Sequence, residues 1–149
     1  MILTEPDEFM FAAIDEAKKS LAEGGIPIGS VLVREGKIIG RGHNQRVQKN
    51  NTILHAEIDC LQNAGRIGSY KNTVLYSTLM PCYLCAGAVV QFGIPTVIVG
   101  ESKTFKGAQA LLKDHWVSTI DLEMEVCIAL MEDFIKKNPA LWKEDIGKQ

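Results

Sequence analysis

One histidine, one glutamate and two cysteines lie in two short segments that constrain the fold of this chain more than any other feature. The segments are His55-Ala56-Glu57 and Pro81-Cys82-Tyr83-Leu84-Cys85. A histidine and two cysteines can supply three ligands to a zinc ion, and three protein ligands leave the fourth tetrahedral position free for water. This arrangement is typical of catalytic zinc, so the fold must bring the two segments together.

Glu57 is predicted to move protons rather than to bind the metal. It lies two residues from His55, and on a helix such neighbours point in different directions. Two thiolates and a neutral imidazole offset the charge of Zn²⁺, so a bound water would be less acidic than in a three-histidine site. Such a water needs a neighbouring base, and the sequence offers Glu57.

The cysteine pair fits the start of a helix. Pro81 is acceptable in a first helical turn, where its missing N–H would have no partner, and Cys82 and Cys85 would then share one face. The positive end of the helix dipole favours their thiolate forms. A disulfide or redox pair is the alternative, but the distant His-x-Glu and a reducing compartment favour metal binding. Cys60 and Cys127 lie at apolar helical positions and are predicted to be small core residues.

Composition sets the class of protein and its compartment. The chain has 149 residues, 46% of them hydrophobic, which suits one domain with a substantial core. A formal charge of −2 disfavours a polyanionic partner such as nucleic acid. The first residues lack the features of a signal peptide, and no apolar run approaches the ~20 residues of a membrane span. We therefore expect a cytoplasmic protein that does not enter a membrane.

Hydrophobic periodicity and turn residues predict a helix, a hairpin and then alternating helices and strands. The first helix would start at a Thr4–Asp7 capping box, bury Met10, Ala13, Ile14, Ala17 and Leu21, and stop at Gly24. The later elements are a hairpin of residues 29–34 and 37–42, helices at 54–64 and 82–92, strands at 73–78, 95–100 and 117–120, a crossover helix within 102–115, and a helix at 123–137 that Pro139 breaks before a short tail. Strand, helix, strand implies parallel pairing. The prediction is a three-layer α/β/α sandwich with a five-stranded mixed sheet, in which a polar loop from Arg46 to Thr52 runs over the surface.

The two metal segments together resemble a known signature. His-x-Glu followed by Pro-Cys-x-x-Cys is similar to that of the zinc-dependent nucleobase and nucleoside deaminases. Residues 25–29 (Gly-Ile-Pro-Ile-Gly), 40–44 (Gly-Arg-Gly-His-Asn) and 142–147 (Trp-Lys-Glu-Asp-Ile-Gly) resemble the fungal cytosine deaminases within that superfamily. The resemblance covers essentially the whole chain, and it implies the strand order 2-1-3-4-5, one catalytic Zn²⁺ per chain and a homodimer.

The resemblance also implies a reaction: hydrolysis of a free nucleobase, cytosine to uracil and ammonia, as in pyrimidine salvage. Zinc would activate a water and Glu57 would shuttle its protons. Residues 139–149 of a single domain spanning 1–149 would fold back as a lid, with Asp145 contacting the exocyclic amine and Trp142 with Phe105 closing over the base. The residues expected to contact the substrate are Asn44, Ala56, Met80, Phe105, Trp142 and Asp145. The alternatives are that Asn44 is only a turn residue and that the tail is a helix that packs for stability alone.

Two positions depart from the fungal pattern and leave the substrate open. Met80 stands where those enzymes have a small polar residue, and Tyr83 stands where they have an aspartate. A purine base such as guanine, or another aminated ring, is therefore an alternative substrate. Adenosine in tRNA is a further alternative, although an acidic tail that folds back over the pocket argues against it. A zinc-stabilised binding module without activity is the alternative from a different class. His43 and His115 have no assigned role, and His115 is expected at the surface.

Overall fold

The computed structural model describes residues 5–148 and contains a five-stranded sheet with the order β2-β1-β3-β4-β5. The elements are α1 (Glu8–Ala22), β1 (Gly29–Arg34), β2 (Lys37–His43), α2 (Ala56–Ala64), β3 (Thr73–Ser77), α3 (Tyr83–Phe92), β4 (Thr96–Val99), α4 (Gln109–Asp114), β5 (Ser118–Asp121), α5 (Glu125–Lys137) and α6 (Pro139–Asp145). Strand β1 is antiparallel to β2 and β3, whereas β3, β4 and β5 are parallel. The predicted sandwich and its strand order are confirmed.

The central strands are buried on both faces because helices cover both sides of the sheet. Successive residues of a strand point to opposite faces, so β1, β3 and β4 each supply residues to two core clusters. Each face carries one residue of each strand. One face carries Leu32, Leu75 and Val97, and the other carries Val31, Tyr76 and Ile98. The first set packs with α2, α3 and α4, and the second packs with α1 and α5.

Helix α1 differs from its prediction at both ends. Asp7 is the N-cap, and its side chain accepts two backbone N–H groups of the first turn, while Thr4 lies outside the described residues. Leu21, predicted to be buried, is 42% exposed. In this last turn the inward face is instead occupied by Ser20, whose hydroxyl donates to the backbone oxygen of Asn44. The helix therefore ends against a polar loop rather than against the apolar sheet.

The crossover between β4 and β5 is mostly loop. Helix α4 has only six residues, fewer than the predicted segment of 102–115 could hold. It follows Gly107, which has φ +57°, and a Cβ there would stand 2.4 Å from the carbonyl oxygen of Pro81. The loop is therefore held close to the segment that begins α3. Within residues 5–148, no helix combines the length and apolar character needed to cross a bilayer.

The carboxyl tail is a helix rather than a frayed end. Pro139 interrupts α5, as predicted, but it then occupies the first turn of α6, where a proline costs no hydrogen bond. Trp142 of α6 is 7% exposed and packs in a third apolar cluster with Ile28, Leu79 and Phe134. This cluster also contains Ala56, Ile26 and Met131. The tail is thereby packed against the start of α2.

Candidate metal centre and adjoining pocket

The three predicted metal ligands converge where two helices begin. His55 is the N-cap of α2 and Cys82 is the N-cap of α3, and neither side chain caps its own helix. Cys85 follows in the first turn of α3 and is fully buried. The sequence predicts Pro81 in the first turn of this helix, but in the structure it lies one residue before the N-cap. The side chains of both N-cap residues are therefore available to a shared ligand.

The donor set fits a zinc ion. The ligand atoms of His55, Cys82 and Cys85 all lie within 4.8 Å of one another, and Cys82 Sγ is 3.4 Å from His55 Nδ1. Bond lengths of about 2.3 Å to sulfur and 2.0 Å to nitrogen, at a tetrahedral angle, place the two atoms about 3.6 Å apart. Among the described residues, no further histidine, cysteine or carboxylate joins this group. The arrangement supplies three ligands and leaves a fourth position open.

The thiols of Cys82 and Cys85 differ in acidity in the metal-free protein. A hydrogen bond from Cys85, together with the His55 ring, lowers the pKa of Cys82 to about 4. The same interaction and burial raise the pKa of Cys85 well above its usual value. Cys82 is therefore the thiolate, and the Cys85 thiol donates to it. Binding of a divalent cation to both sulfurs must then displace the proton of Cys85. None of the four cysteines forms a disulfide, and Cys60 and Cys127 are buried core residues as predicted.

Glu57 is buried at the first turn of α2, beside the ligand set. Its exposed fraction is 4%. Burial, and secondarily the negative charge of Cys82, raise the pKa of Glu57 to about 7. A carboxyl group with such a pKa can both accept and donate a proton near neutral pH, which is the property required of a proton shuttle.

A small pocket with about 260 Å³ of empty space adjoins the ligand set. Its lining includes every residue expected to contact a substrate, together with His55, Glu57 and Cys82 and two further residues. The predicted residues are Asn44, Ala56, Met80, Phe105, Trp142 and Asp145, and the additional ones are Ile28 and Leu79. The last two were missed because an isolated aliphatic residue gives no sequence signal that separates a pocket wall from the core.

Asn44 and Asp145 form one polar wall of the pocket, although they are 101 residues apart in the chain. Asn44 Nδ2 donates to Asp145 Oδ1 at 3.1 Å, and the backbone N–H of Arg46 donates to Asn44 Oδ1 at 3.1 Å. These two contacts fix the orientation of the amide, with its NH₂ group toward Asp145. Burial raises the pKa of Asp145, partly offset by its neighbours, and its Oδ1 is 3.9 Å from His55 Nε2.

Arg46 was not predicted to belong to this region. Residues 50–53 are exposed, as expected of a surface loop, but the side chain of Arg46 is only 8% exposed. Its guanidinium donates to Glu144 Oε2 at 3.1 Å and to the backbone oxygen of Thr52 at 2.8 Å, and it lies 3.8 Å from Asp145 Oδ1. Arg46 therefore links the loop after β2 to α6. Its partners on α6 are 98 and 99 residues away, beyond the reach of any local pattern.

Two aromatic rings close the apolar side of the pocket. The rings of Phe105 and Trp142 have centroids 5.5 Å apart and meet edge to face. Met80, one of the two departures from the fungal pattern, is 1% exposed, and its Cγ packs beside Gly107 in the core cluster under α3. Tyr83, the other departure, is 76% exposed and lies outside the inner pocket.

A wider outer cleft leads to the inner pocket. It has about 1020 Å³ of empty space and shares His55, Cys82, Phe105 and Asp145 with the inner pocket. Its remaining walls come from the start of α3, the loop before α4 and the end of the tail: Tyr83, Leu84, Lys106, Gly107, Ile146 and Lys148. The shared residues form the boundary between solvent and the inner pocket.

Known proteins resemble this chain over most of its length. The family model of the cytidine and deoxycytidylate deaminase zinc-binding region matches residues 3–101, a range that includes the three predicted ligands and Glu57. A cytosine deaminase of Candida albicans is 45% identical over 139 residues, covering 91% of this chain and 93% of its own length. A tRNA-specific adenosine deaminase of Streptococcus pyogenes is 44% identical over 113 residues, covering 73% of this chain and 71% of its own length.

The solved structures add a likeness of fold. The structure of a guanine deaminase from Nitrosomonas europaea superposes with a TM-score of 0.73 over 90% of this chain and 86% of that chain, at 18% identity. A structure from a study of tRNA:A34 deaminases has a TM-score of 0.58 and 33% identity, covering 61% of this chain and 72% of that chain. The sandwich described above is therefore shared by deaminases of several substrates.

Proposed function

This chain belongs to the cytidine and deoxycytidylate deaminase family, and from that premise we propose that its substrate is free cytosine, which it converts to uracil and ammonia. It is a zinc-dependent hydrolase that deaminates a nucleobase. The observation that carries the choice of a free base is the buried hydrogen bond between Asn44 and Asp145 of α6, beside the predicted ligands. Similarity to a cytosine deaminase across nearly the whole chain supports the choice of cytosine.

The proposed ligands of the catalytic Zn²⁺ are His55, Cys82 and Cys85, and the metal, when bound, makes a water molecule a better nucleophile. Glu57 takes one proton from the attacking water and passes it to N3 of the base as the new C4–O bond forms. It then takes the remaining hydroxyl proton and delivers it to the amine as the C4–N bond breaks. One buried carboxyl group thus serves every proton transfer, and its pKa of about 7 suits both directions.

The polar wall is proposed to recognise the pyrimidine edge. The NH₂ group of Asn44 donates to the carbonyl oxygen of the base, since the amide oxygen already accepts from Arg46. Asp145 accepts from the exocyclic amine, as does the backbone oxygen of Met80. The base lies on Ala56 with Ile28 and Leu79 as apolar walls. This set of contacts specifies one edge of a flat ring that carries both a carbonyl and an amine.

Helix α6 is proposed to be the lid of the pocket. Trp142 and Phe105 cover the base, and Asp145 reaches it from the same helix as Trp142. The inner pocket is small, so a single flat base is the largest ligand proposed for it. Exclusion of water by the lid strengthens each polar contact inside. A ribosyl group on N1 would have to displace α6, so cytidine should be a poor substrate.

The test is an ammonia-release assay of the zinc-loaded protein with cytosine, 5-substituted cytosines, cytidine, guanine and adenine. Glu57→Gln serves as the control because it keeps the size of the side chain and all three metal ligands. We expect the wild type to release ammonia from cytosine and the Glu57→Gln variant to release none. The wild type should release little ammonia from cytidine. Faster release from guanine or adenine would reject cytosine, and equal rates with cytosine and cytidine would reject the lid. Zinc binding without ammonia release from any base would indicate a binding module instead.

Deamination of adenosine in tRNA is the second candidate, favoured by the 44% identity to a tRNA-specific enzyme. That reaction requires a nucleotide to be flipped out of the RNA into an open pocket. Helix α6, with Trp142 and Asp145 buried, occupies the approach that such a nucleotide would need. Salt-sensitive binding of tRNA at physiological ionic strength, with inosine formation, would favour this candidate over cytosine.

A homodimer remains a prediction from the family resemblance. Helix α3 exposes the apolar side chains of Tyr83, Leu84 and Phe92, which supports association with a second copy through this helix. Sedimentation equilibrium would distinguish a dimer from a monomer, and Phe92→Glu should shift the protein toward the monomer. A wild-type protein that is monomeric at micromolar concentration would overturn the prediction.

A further inference from the structure

His43 directly precedes Asn44, and its ring lies between the carboxylates of Glu16 in α1 and of Glu23, the C-cap residue of that helix. Nδ1 is 2.9 Å from Glu16 Oε1, and Nε2 is 2.8 Å from Glu23 Oε1. A neutral imidazole has one donor and one acceptor nitrogen, whereas ionised carboxylates only accept, so both contacts are hydrogen bonds only when the ring is an imidazolium. We propose that His43 is a positioning residue whose imidazolium holds Asn44 in place for the base. The inference rests on the proposed role of Asn44 in the reaction.

One face of α1 makes these contacts. Glu16, Ser20 and Glu23 are four and three residues apart, which places them on the same side of a helix. Glu16 and Glu23 bind the ring of His43, while the hydroxyl of Ser20 donates to the backbone oxygen of Asn44 at 2.6 Å. One of the contacts that position Asn44 therefore comes from the side of α1 that binds the His43 ring, in addition to the hydrogen bonds of Asn44 with Ile28 and Gln48.

On its other side, the end of β2 is packed tightly against α2. A Cβ at Gly42 would stand 2.4 Å from the backbone nitrogen of Cys60, so the strand touches α2 here. The backbone N–H of His43 also donates to Asp59 Oδ2 of α2 at 3.0 Å. When the ring loses its proton, one nitrogen presents a lone pair to a carboxylate, and repulsion replaces one hydrogen bond. The contact with α1 must loosen, and Asn44 lies at that contact.

The charged groups around the ring determine the direction of the pH effect. Glu16, Lys19 and Glu23 face it from α1, Arg41 from β2 and Asp59 from α2. Burial lowers the pKa of His43, but the two glutamates outweigh it, so the pKa is raised above 6.5. Because the pKa of His43 is higher in the folded protein than in the unfolded chain, the contact of the ring with both glutamates is complete below pH 6.5. This contact is lost as the pH rises through the pKa of His43 in the folded protein.

The first experiment follows the three histidines of the chain by NMR in the zinc-loaded protein. His55 is a proposed metal ligand and should not titrate, which distinguishes its signal from that of His43. We expect His43 to titrate above pH 6.5. Over the same pH range, the KM of the wild type for cytosine should rise by roughly threefold to tenfold, the effect of losing about one ordinary hydrogen bond to the base. This rise should exceed any change in kcat.

The second experiment moves the titration without touching the pocket. Glu23→Gln removes one carboxylate at the exposed end of the ring, so it should lower the pKa of His43 and shift the rise in KM by the same amount. Glu132→Gln, an exposed position on α5, makes the same charge change and should move neither quantity. His43→Arg carries a permanent charge and should keep KM flat across this range, whereas His43→Gln should raise KM at every pH. Urea unfolding of each variant confirms that it is folded.

The outcomes separate this inference from the proposed function. If the wild type releases no ammonia from cytosine at any pH, the proposed function fails, and this inference fails with it. If the wild type is active, a His43 pKa at or below 6.5 overturns the inference alone. So does a Glu23→Gln variant whose His43 pKa moves while the pH dependence of KM stays that of the wild type.

Discussion

Replacing Arg46 with methionine should weaken both the fold and the binding of cytosine. Methionine keeps much of the aliphatic stem and removes the charge, so the change isolates what the guanidinium contributes. The guanidinium connects the loop after β2 with α6 through Thr52, Glu144 and Asp145. These three partners differ in exposure, and their exposure decides what each loss costs.

The cost is concentrated at Asp145. The side chain of Glu144 is 65% exposed, so water replaces its ion pair for about 0–1 kcal/mol. The two hydrogen bonds to exposed Thr52 add about 1 kcal/mol, again because water can substitute. Asp145, at 4% exposure, loses a cation 3.8 Å away with no water to replace it, which costs about 2 kcal/mol or more. The sum is about 3 kcal/mol.

The assay is urea unfolding at a fixed excess of zinc, combined with the KM for cytosine. Arg46→Met should lose about 3 kcal/mol of unfolding free energy, and the share from Asp145 should raise KM by roughly tenfold or more. Glu144→Gln is the matched control, because it removes only the exposed ion pair and should cost less than about 1 kcal/mol. Equal and small effects of both variants would refute the reasoning that Arg46 stabilises Asp145 in the pocket.

Three further predictions concern the proton shuttle Glu57, the lid and the loop before α4. Glu57→Gln should retain stoichiometric zinc by elemental analysis and lose more than ~10⁴-fold in kcat, since one group serves several proton transfers; a rate near that of the wild type contradicts its role. Trp142→Ala should raise the KM for cytosine and narrow the preference for cytosine over cytidine in the ammonia assay; an unchanged preference argues against the lid. Gly107→Ala should destabilise the protein by about 2 kcal/mol or more in urea, because φ is +57° and its Cβ would meet the Pro81 carbonyl; a neutral result would mean that the loop can move away.

Local spacing was sufficient for most of the helices and strands and for choosing the candidate groups of the metal centre. A histidine and glutamate two residues apart, and two cysteines three apart, are short-range patterns, and so are the alternation of β1 and the periodicity of α1. Such patterns are set by the geometry of one helix or strand, which a single sequence displays directly. The predicted ligands His55, Cys82 and Cys85 and the predicted proton shuttle Glu57 were therefore chosen from sequence, and the structure places these four side chains together.

Tertiary structure alone decided how the pocket is held together. Arg46 was predicted to lie in a surface loop, yet it is buried beneath α6, and His43 had no assigned role although two residues of α1 bind its ring. The orientation of the Asn44 amide depends on Asp145, 101 residues away. Polar partners of this kind are chosen by which distant segments the sheet brings together, and nothing in the neighbouring residues records that choice. Spacing along the chain thus determined which groups could react, and packing determined which groups hold them in position.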